Sequence, residues 1–442
     1  MKNWVVALLV CSLLPLSTFA QEGFGTPLQP GNPAPSTSPV PTFENRDSRS
    51  HTTAPRRSGI TPRRRTTKTS PGQFGGESAV SYPGQSTVQD AYGLGVMAPR
   101  RPYRAFWSLQ LGGQLTRDSL ANQRTQSSLG FNFGVDYDFT SYFSLSVNPR
   151  ISFKNGHVQA ATATNGRESS MELINAAAVL TDRNYYLMTI GALDMTSSHS
   201  PLLVAATFPA TKMQISTGEK NPLALSLIGL TAVPSSATLT SNSQDYDKTP
   251  SFNSLSLRMT YNTKVFEILA QLGQFEYKNI PLNVSTDSTL LGNTPLEAAN
   301  SPQSSFRYDY AGVESRLGFA VSLSRELRLR SQGALIRNSL APQDFNQGHV
   351  ISSEVEYTPS GTWTFLPGFV YFNAQPDTTV ANYNDSMITT NRVGYASTIS
   401  VHYKKLFKVG ALSGEREVVF EKTSQARERF MTLTLETFDA PF

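Results

Sequence analysis

From Tyr103 to the C-terminus, apolar and polar residues alternate almost without interruption. The pattern is clearest from Leu129 to Phe153. Leu129, Phe131, Phe133, Val135, Tyr137 and Phe139 alternate with Gly130, Asn132, Gly134, Asp136 and Asp138. After Thr140 and Ser141, Phe143, Leu145, Val147, Pro149, Ile151 and Phe153 alternate with Ser144, Ser146, Asn148, Arg150 and Ser152. Strand side chains point to opposite faces with period two, so each half is a strand with one apolar and one polar face. The two halves form a hairpin. Each unbroken apolar face is as long as a tilted transmembrane strand of ~9–11 residues.

The pattern recurs. Strands are predicted at about 103–116, 128–139, 142–154, 169–181, 184–196, 211–217, 222–233, 252–261, 265–277, 308–323, 327–337, 349–358, 362–373, 392–403, 406–420 and 428–438. The sixth rests partly on the alternation of turns. Short turns fall at 140–141, 181–184, 218–221, 262–264, 324–326, 358–361 and 404–405; longer polar loops lie between them. Rings flank most short turns, as at Tyr185 and Tyr186, Tyr261 and Phe266, Tyr357 and Trp363, and Tyr403 and Phe407. Aromatic girdles of this kind belong to a membrane–water boundary. The fold class expected is all-β, a transmembrane antiparallel β-barrel of about 16 strands, preceded by a disordered segment. Pro149 and Pro367 cannot donate to a ladder, so bulges are expected at both.

The first hundred residues differ. Lys2, an apolar run from Trp4 to Leu16, and Ser17 to Ala20 make residues 1–20 a secretory signal peptide cut after Ala20. Cys11, the one cysteine, lies inside it, so the exported chain would carry no disulfide or thiolate site. Residues 21–102 are rich in Pro, Ser and Thr and lack periodicity, which reads as a disordered linker. Residues 21–100 hold nine Lys and Arg against five Asp and Glu, whereas 101–442 hold 28 of each, so the net +5 belongs to the N-terminal part. A basic run can meet nucleic acid, but an exported chain would not. The readings are a solvated spacer or an electrostatic contact with an anionic envelope polymer such as peptidoglycan.

Residues 103–442 resemble bacterial outer-membrane β-barrels of the porin type. Phe442 matches the terminal aromatic of the signal read by barrel assembly machinery, although Asp439-Ala440-Pro441 breaks the alternation of Met431, Leu433 and Leu435. The resemblance implies residence in a bacterial cell outer membrane, contact with its lipid, and passive diffusion of small hydrophilic solutes without cofactor or reaction. It also implies a role for the loop after the fifth strand. That loop carries Pro201, Leu202, Leu203, Val204 and Phe208, apolar where the other loops are polar. It either folds into the barrel as a constriction or packs over a rim or a neighbouring subunit, a homo-oligomer being one arrangement.

Parity places Arg150, Lys154, Arg258, Glu314, Arg316, Arg328 and Arg330 on the inner face, with Asp136, Asp138, Glu354 and Glu356. Charges inside a membrane barrel require water there. Arg150, Arg258, Glu314, Arg316, Arg328 and Arg330 are the expected pore-lining residues, and Arg316, Arg328 and Arg330 are expected to share an anion-attracting wall. The alternative is that neighbouring carboxylates neutralise that wall. No histidine has a second His or Cys at ligand spacing, so no metal site is expected. Ser198-His199-Ser200 sits in a long loop, which keeps a barrel-borne hydrolase as a rival beside an adhesive or structural barrel.

Overall fold

The computed structural model describes residues 103–441 apart from 120–122, 160–163, 183–184, 218–221, 235–247, 264, 297–304, 360, 405, 422–424 and 439. The expected signal peptide (1–20), linker (21–102) and assembly signal at Phe442 lie outside the described residues.

Sixteen strands form one antiparallel sheet: β1 (Tyr103–Asp118), β2 (Gln123–Asp138), β3 (Phe143–Gln159), β4 (Thr164–Thr181), β5 (Tyr186–Asp194), β6 (Thr207–Ser216), β7 (Leu223–Ala232), β8 (Ser251–Asn262), β9 (Phe266–Lys278), β10 (Tyr310–Ser322), β11 (Leu327–Asn338), β12 (Gln347–Tyr357), β13 (Trp363–Ala374), β14 (Arg392–Tyr403), β15 (Phe407–Val418) and β16 (Glu428–Thr437). Each pairs with its sequence neighbour, and β16 pairs back to β1 from Gln110 opposite Glu436 to Asp118 opposite Glu428. Closure leaves no unpaired edge, which a structure surrounded by lipid requires.

The apolar parity faces outward. Leu129, Phe133, Val135, Leu225, Leu257, Leu272, Leu317, Leu335, Ile399 and Leu433 are all exposed on the barrel wall. At the short turns the first polar residue ties the corner. Thr140 Oγ1 accepts from the amides of Tyr142 and Phe143 at 3.1 and 3.0 Å. Asp182 Oδ1 accepts from those of Tyr185 and Tyr186, and Ser324 Oγ from those of Glu326 and Leu327. Small side chains that mimic a backbone acceptor suit such corners.

The strands depart from the sequence pattern in instructive places. The sixth strand is real but starts at Thr207, four residues before its predicted start, so Phe208 belongs to the wall and not to the loop. At Pro149 the register against β4 shifts, as expected: Asn148 faces Asn175 and Pro149 faces Leu173, which leaves Ile174 over. Pro367 makes no bulge. It sits opposite Ile399 in unbroken register with β14, and only the ladder to β12 is interrupted, between the pairs Glu354–Gly368 and Tyr357–Phe365. The chain end does not stop pairing near Phe438. Phe106 and Trp107 face Pro441 and Ala440, one residue out of step with the β1–β16 register.

Candidate functional site

The site is the barrel interior. It is crossed by two connections on the long-loop side. The first, residues 195–206 between β5 and β6, turns inward. His199 Nδ1 lies 2.7 Å from Glu314 Oε2, and the Ser200 amide donates to Glu314 Oε1 at 2.6 Å. His199 Nε2 lies 3.0 Å from Ser254 Oγ, and Gln271 Nε2 donates to the Ser198 carbonyl at 3.0 Å. Ser254, Gln271 and Glu314 are inward-facing residues of β8, β9 and β10, so the loop lies against the inner wall. This is the inward of the two arrangements the sequence left open.

The second connection, residues 375–391 after β13, lies against the first. The Ala205 amide donates to the Tyr383 carbonyl, the Asp385 amide to the Pro201 carbonyl, and Thr379 Oγ1 to the Leu202 carbonyl. Its far end reaches the opposite wall, where Arg416 of β15 donates to the carbonyls of Ser386 and Met387. A short helix, α1 (Leu282–Leu290), and Asn293 close the block from the side. Asn293 Nδ2 donates to the Pro376 and Thr379 carbonyls at 2.6 and 2.8 Å.

Apolar burial fixes this block. Met195, Leu202, Leu203, Val204, Val284 and Val380 have no solvent exposure and pack with inward residues of β5 to β13, among them Phe208, Phe252, Tyr277, Tyr310 and Phe372. At Gly348 of β12 an added Cβ would come within 3.1 Å of Leu202 and 2.9 Å of Thr378, so the backbone must be bare there. Among the described residues of β1 to β4 the same cluster takes only Ala177. The block is therefore a partition that packs against β5 to β13 and, through Met387, reaches Ala396, Leu412 and Phe430 of β14 to β16. The β1–β4 face opposite it is polar: Gln114, Thr116, Gln126, Ser128, Asn148 and Arg150 point inward and are half-buried.

The charged residues singled out from the sequence all face inward. Arg150 donates to Gln110 Oε1 and lies beside Asn132 in the register. Arg258, buried, donates through Nε to Gln271 at 3.0 Å. Glu314 anchors the first connection. The expected Arg316, Arg328 and Arg330 wall is divided. Arg328 pairs with Glu267 at 2.5 Å and Arg330 with Glu356 at 2.7 Å. Arg316 Nη1 has no hydrogen-bond partner among the described residues. Leu202, Leu203, Val204 and Phe208 come together in one core, with Pro201 beside it.

Sequence reasoning missed Ser254, Gln271 and Glu267 as partners, and the 375–391 connection as part of the block. That connection is polar, yet Asp377, Thr378, Thr379, Thr390 and Asn391 are fully buried; Thr378, Thr379 and Asn391 donate to backbone carbonyls, and Asp377 accepts from the Thr294 amide and the Tyr310 hydroxyl. Asp385 within it is buried too, and burial pushes its carboxyl above the usual range. Among the described residues no group of His, Cys, Asp and Glu could hold a metal ion.

Sixteen strands, all paired in sequence order and closed on themselves, present an apolar belt outward and charge inward, the arrangement a bilayer demands. This is the fold of a transmembrane β-barrel. No family model matches the chain, and no curated protein does. Solved structures similar to it include OprB of Pseudomonas putida at high pH, 9% identical, with a TM-score of 0.48 over 77% of this chain and 94% of that one. In-vitro folded OmpT, an outer membrane protein of Vibrio cholerae, is 10% identical with a TM-score of 0.46 over 78% of this chain and all of that one. OmpF of Salmonella typhi in complex with daunomycin is 9% identical with a TM-score of 0.43 over 76% and 98%.

Proposed function

We propose that the barrel is a passive channel for small hydrophilic solutes, and that its water path runs along the β1–β4 face beside the partition. The observation that carries this reading is the core's placement: apolar side chains of the block pack against β5–β13, while among the described residues of β1–β4 only Ala177 joins that cluster and Gln114, Gln126, Ser128, Asn148, Arg150 and Lys154 face inward. Arg150 and Lys154 on that face cannot be desolvated cheaply, so water is expected beside them. Short turns facing the periplasm, recognition of Phe442 by assembly machinery, contact of the basic linker with peptidoglycan, and homo-oligomer formation belong to the same proposal. Liposomes carrying the purified protein should swell in isotonic solutions of small sugars. Liposomes that stay impermeable, with the barrel folded, would defeat the reading.

A second reading is favoured by one observation. His199 bridges Glu314 and Ser254 at 2.7 and 3.0 Å, the order acid–histidine–serine used by serine hydrolases. A hydrolase also needs oxyanion donors. A fluorophosphonate probe that labels the folded barrel and fails on Ser254→Ala would favour it over the channel.

A further inference from the structure

Outward-facing side chains change from apolar to charged at the long-loop edge of the barrel. On β1 the last exposed apolar residue is Leu115 and the next outward position is Arg117; on β16 Met431 is followed outward by Arg429. The two strands meet at the closure seam, and Arg117 stands directly opposite Arg429. Opposed residues on one face have Cβ atoms ~5 Å apart, and like charges so placed destabilise a sheet.

The neighbouring carboxylates do not resolve the conflict. Arg429 Nε is 3.4 Å from Glu415 Oε1, but Arg427 binds the same oxygen and also reaches Glu417 at 3.1 Å. Arg117 makes no ion pair among the described residues. Three guanidinium groups thus face two carboxylates, and the unmatched charge lies between Arg117 and Arg429. Both are open to the outside, the Arg429 side chain being 74% exposed. The place is one outward position beyond the apolar belt, which is the depth of lipid headgroups.

We propose that Arg117 and Arg429, flanked by Arg427, hold the phosphate of a lipid headgroup in the leaflet on the long-loop side. Arginine suits the task because its planar fork binds phosphate through two parallel hydrogen bonds and stays charged at any working pH. A phosphate monoester, carrying roughly −1.5 to −2, is drawn more strongly to these guanidinium groups than a zwitterionic diester, and Glu415 and Glu417 reduce that preference without reversing it. The proposal rests on the membrane placement of the barrel and not on conduction, so failure of the channel reading leaves it standing.

The test is native mass spectrometry of the full barrel in detergent, with dioleoyl phosphatidic acid and dioleoyl phosphatidylcholine as probes. The unaltered protein should retain the phosphatidic acid preferentially. Each basic residue at a membrane surface is worth roughly fivefold in affinity, so R117S/R429S should lose about 25-fold. R117S alone breaks no ion pair of the structure and should lose about fivefold, which keeps the test valid should the double variant fold poorly. R117K/R429K, which keeps the charge and loses the fork, should hold the phosphatidic acid more weakly than the unaltered protein and more tightly than R117S/R429S. R337S should change nothing, because Arg337 faces outward opposite Val313 and Gln347, without a second arginine. Inorganic phosphate in tenfold excess should not displace the lipid. Equal retention by the R117S protein, equal loss in R337S, or displacement by inorganic phosphate would overturn the proposal.

Discussion

Replacing Glu314 by alanine separates the two forces that hold the partition. The carboxylate accepts from the Ser200 amide at 2.6 Å and meets His199 at 2.7 Å. Hydrogen bonds to a charged acceptor contribute ~1.5–3 kcal/mol each, so the local loss is about 3–6 kcal/mol if both are lost cleanly. Against this stands the burial of Met195, Leu202, Leu203 and Val204, all at 0% exposure. At ~1.5–3 kcal/mol per side chain that is roughly 6–12 kcal/mol, an upper figure because an unfolded loop already hides some apolar surface. Burial should win. Glu314→Ala is expected to leave conductance in planar bilayers within the range of the unaltered protein. Amide exchange at residues 198–200 should quicken by tenfold or more, while 202–204 stays protected. Leu203→Asp places a charge in the apolar core and should release the connection and raise conductance. Conductance in Glu314→Ala as high as in Leu203→Asp would refute the view that apolar packing, and not the Glu314 anchor, fixes the partition.

Other consequences follow from the same geometry. Arg328→Ser leaves Glu267 without its 2.5 Å partner, so the reversal potential in a salt gradient should move toward cations, more at low salt because screening acts within ~8–10 Å at physiological strength. Phe208→Ala empties a fully buried site packed on Tyr383 and should cost ~3–5 kcal/mol, read as a lower urea midpoint of the heat-modifiable gel band. Asp385 is held above its ordinary pKa by burial, so the folded connection binds the proton more tightly than the unfolded one. Its contribution to stability is therefore greatest below the unfolded pKa and falls as pH rises through the folded value. Protection of the amides in 380–390, corrected for the intrinsic pH dependence of exchange, should fall as pH rises through the raised Asp385 pKa, and Asp385→Asn should remove that slope. A slope retained in Asp385→Asn would assign it to another group.

The wall of the barrel was legible in the sequence because lipid outside and water inside impose a strict period of two. The hairpin from Leu129 to Phe153 shows this residue by residue, and inner-face parity placed Glu314, Arg316, Arg328 and Arg330 correctly. Where the period fails, so did the reading. Thr207 and Pro209 face outward on β6 without looking apolar enough for a strand, and so Phe208 seemed part of a loop. Pro149 and Pro367 look alike in sequence, but only the first borders an extra residue on a neighbouring strand. The loop after β5 announced itself through exposed apolar residues that need cover. The 375–391 connection did not, because its buried Thr378, Thr379 and Asn391 donate to backbone carbonyls and carry no periodic signal. Nor could parity show that Arg328 and Arg330 meet Glu267 and Glu356, since cross-strand pairing depends on register.

The central claim is that solutes pass along β1–β4 and not through the block. A single cysteine introduced at Ser128, which faces inward on β2 opposite Lys154, tests it most directly. Addition of a bulky cationic thiol reagent to the open channel should lower the single-channel conductance in steps. The same reagent on Leu203→Cys, at a fully buried position, should leave the current unchanged. Block at Leu203→Cys with none at Ser128→Cys would place the path through the partition and contradict the account.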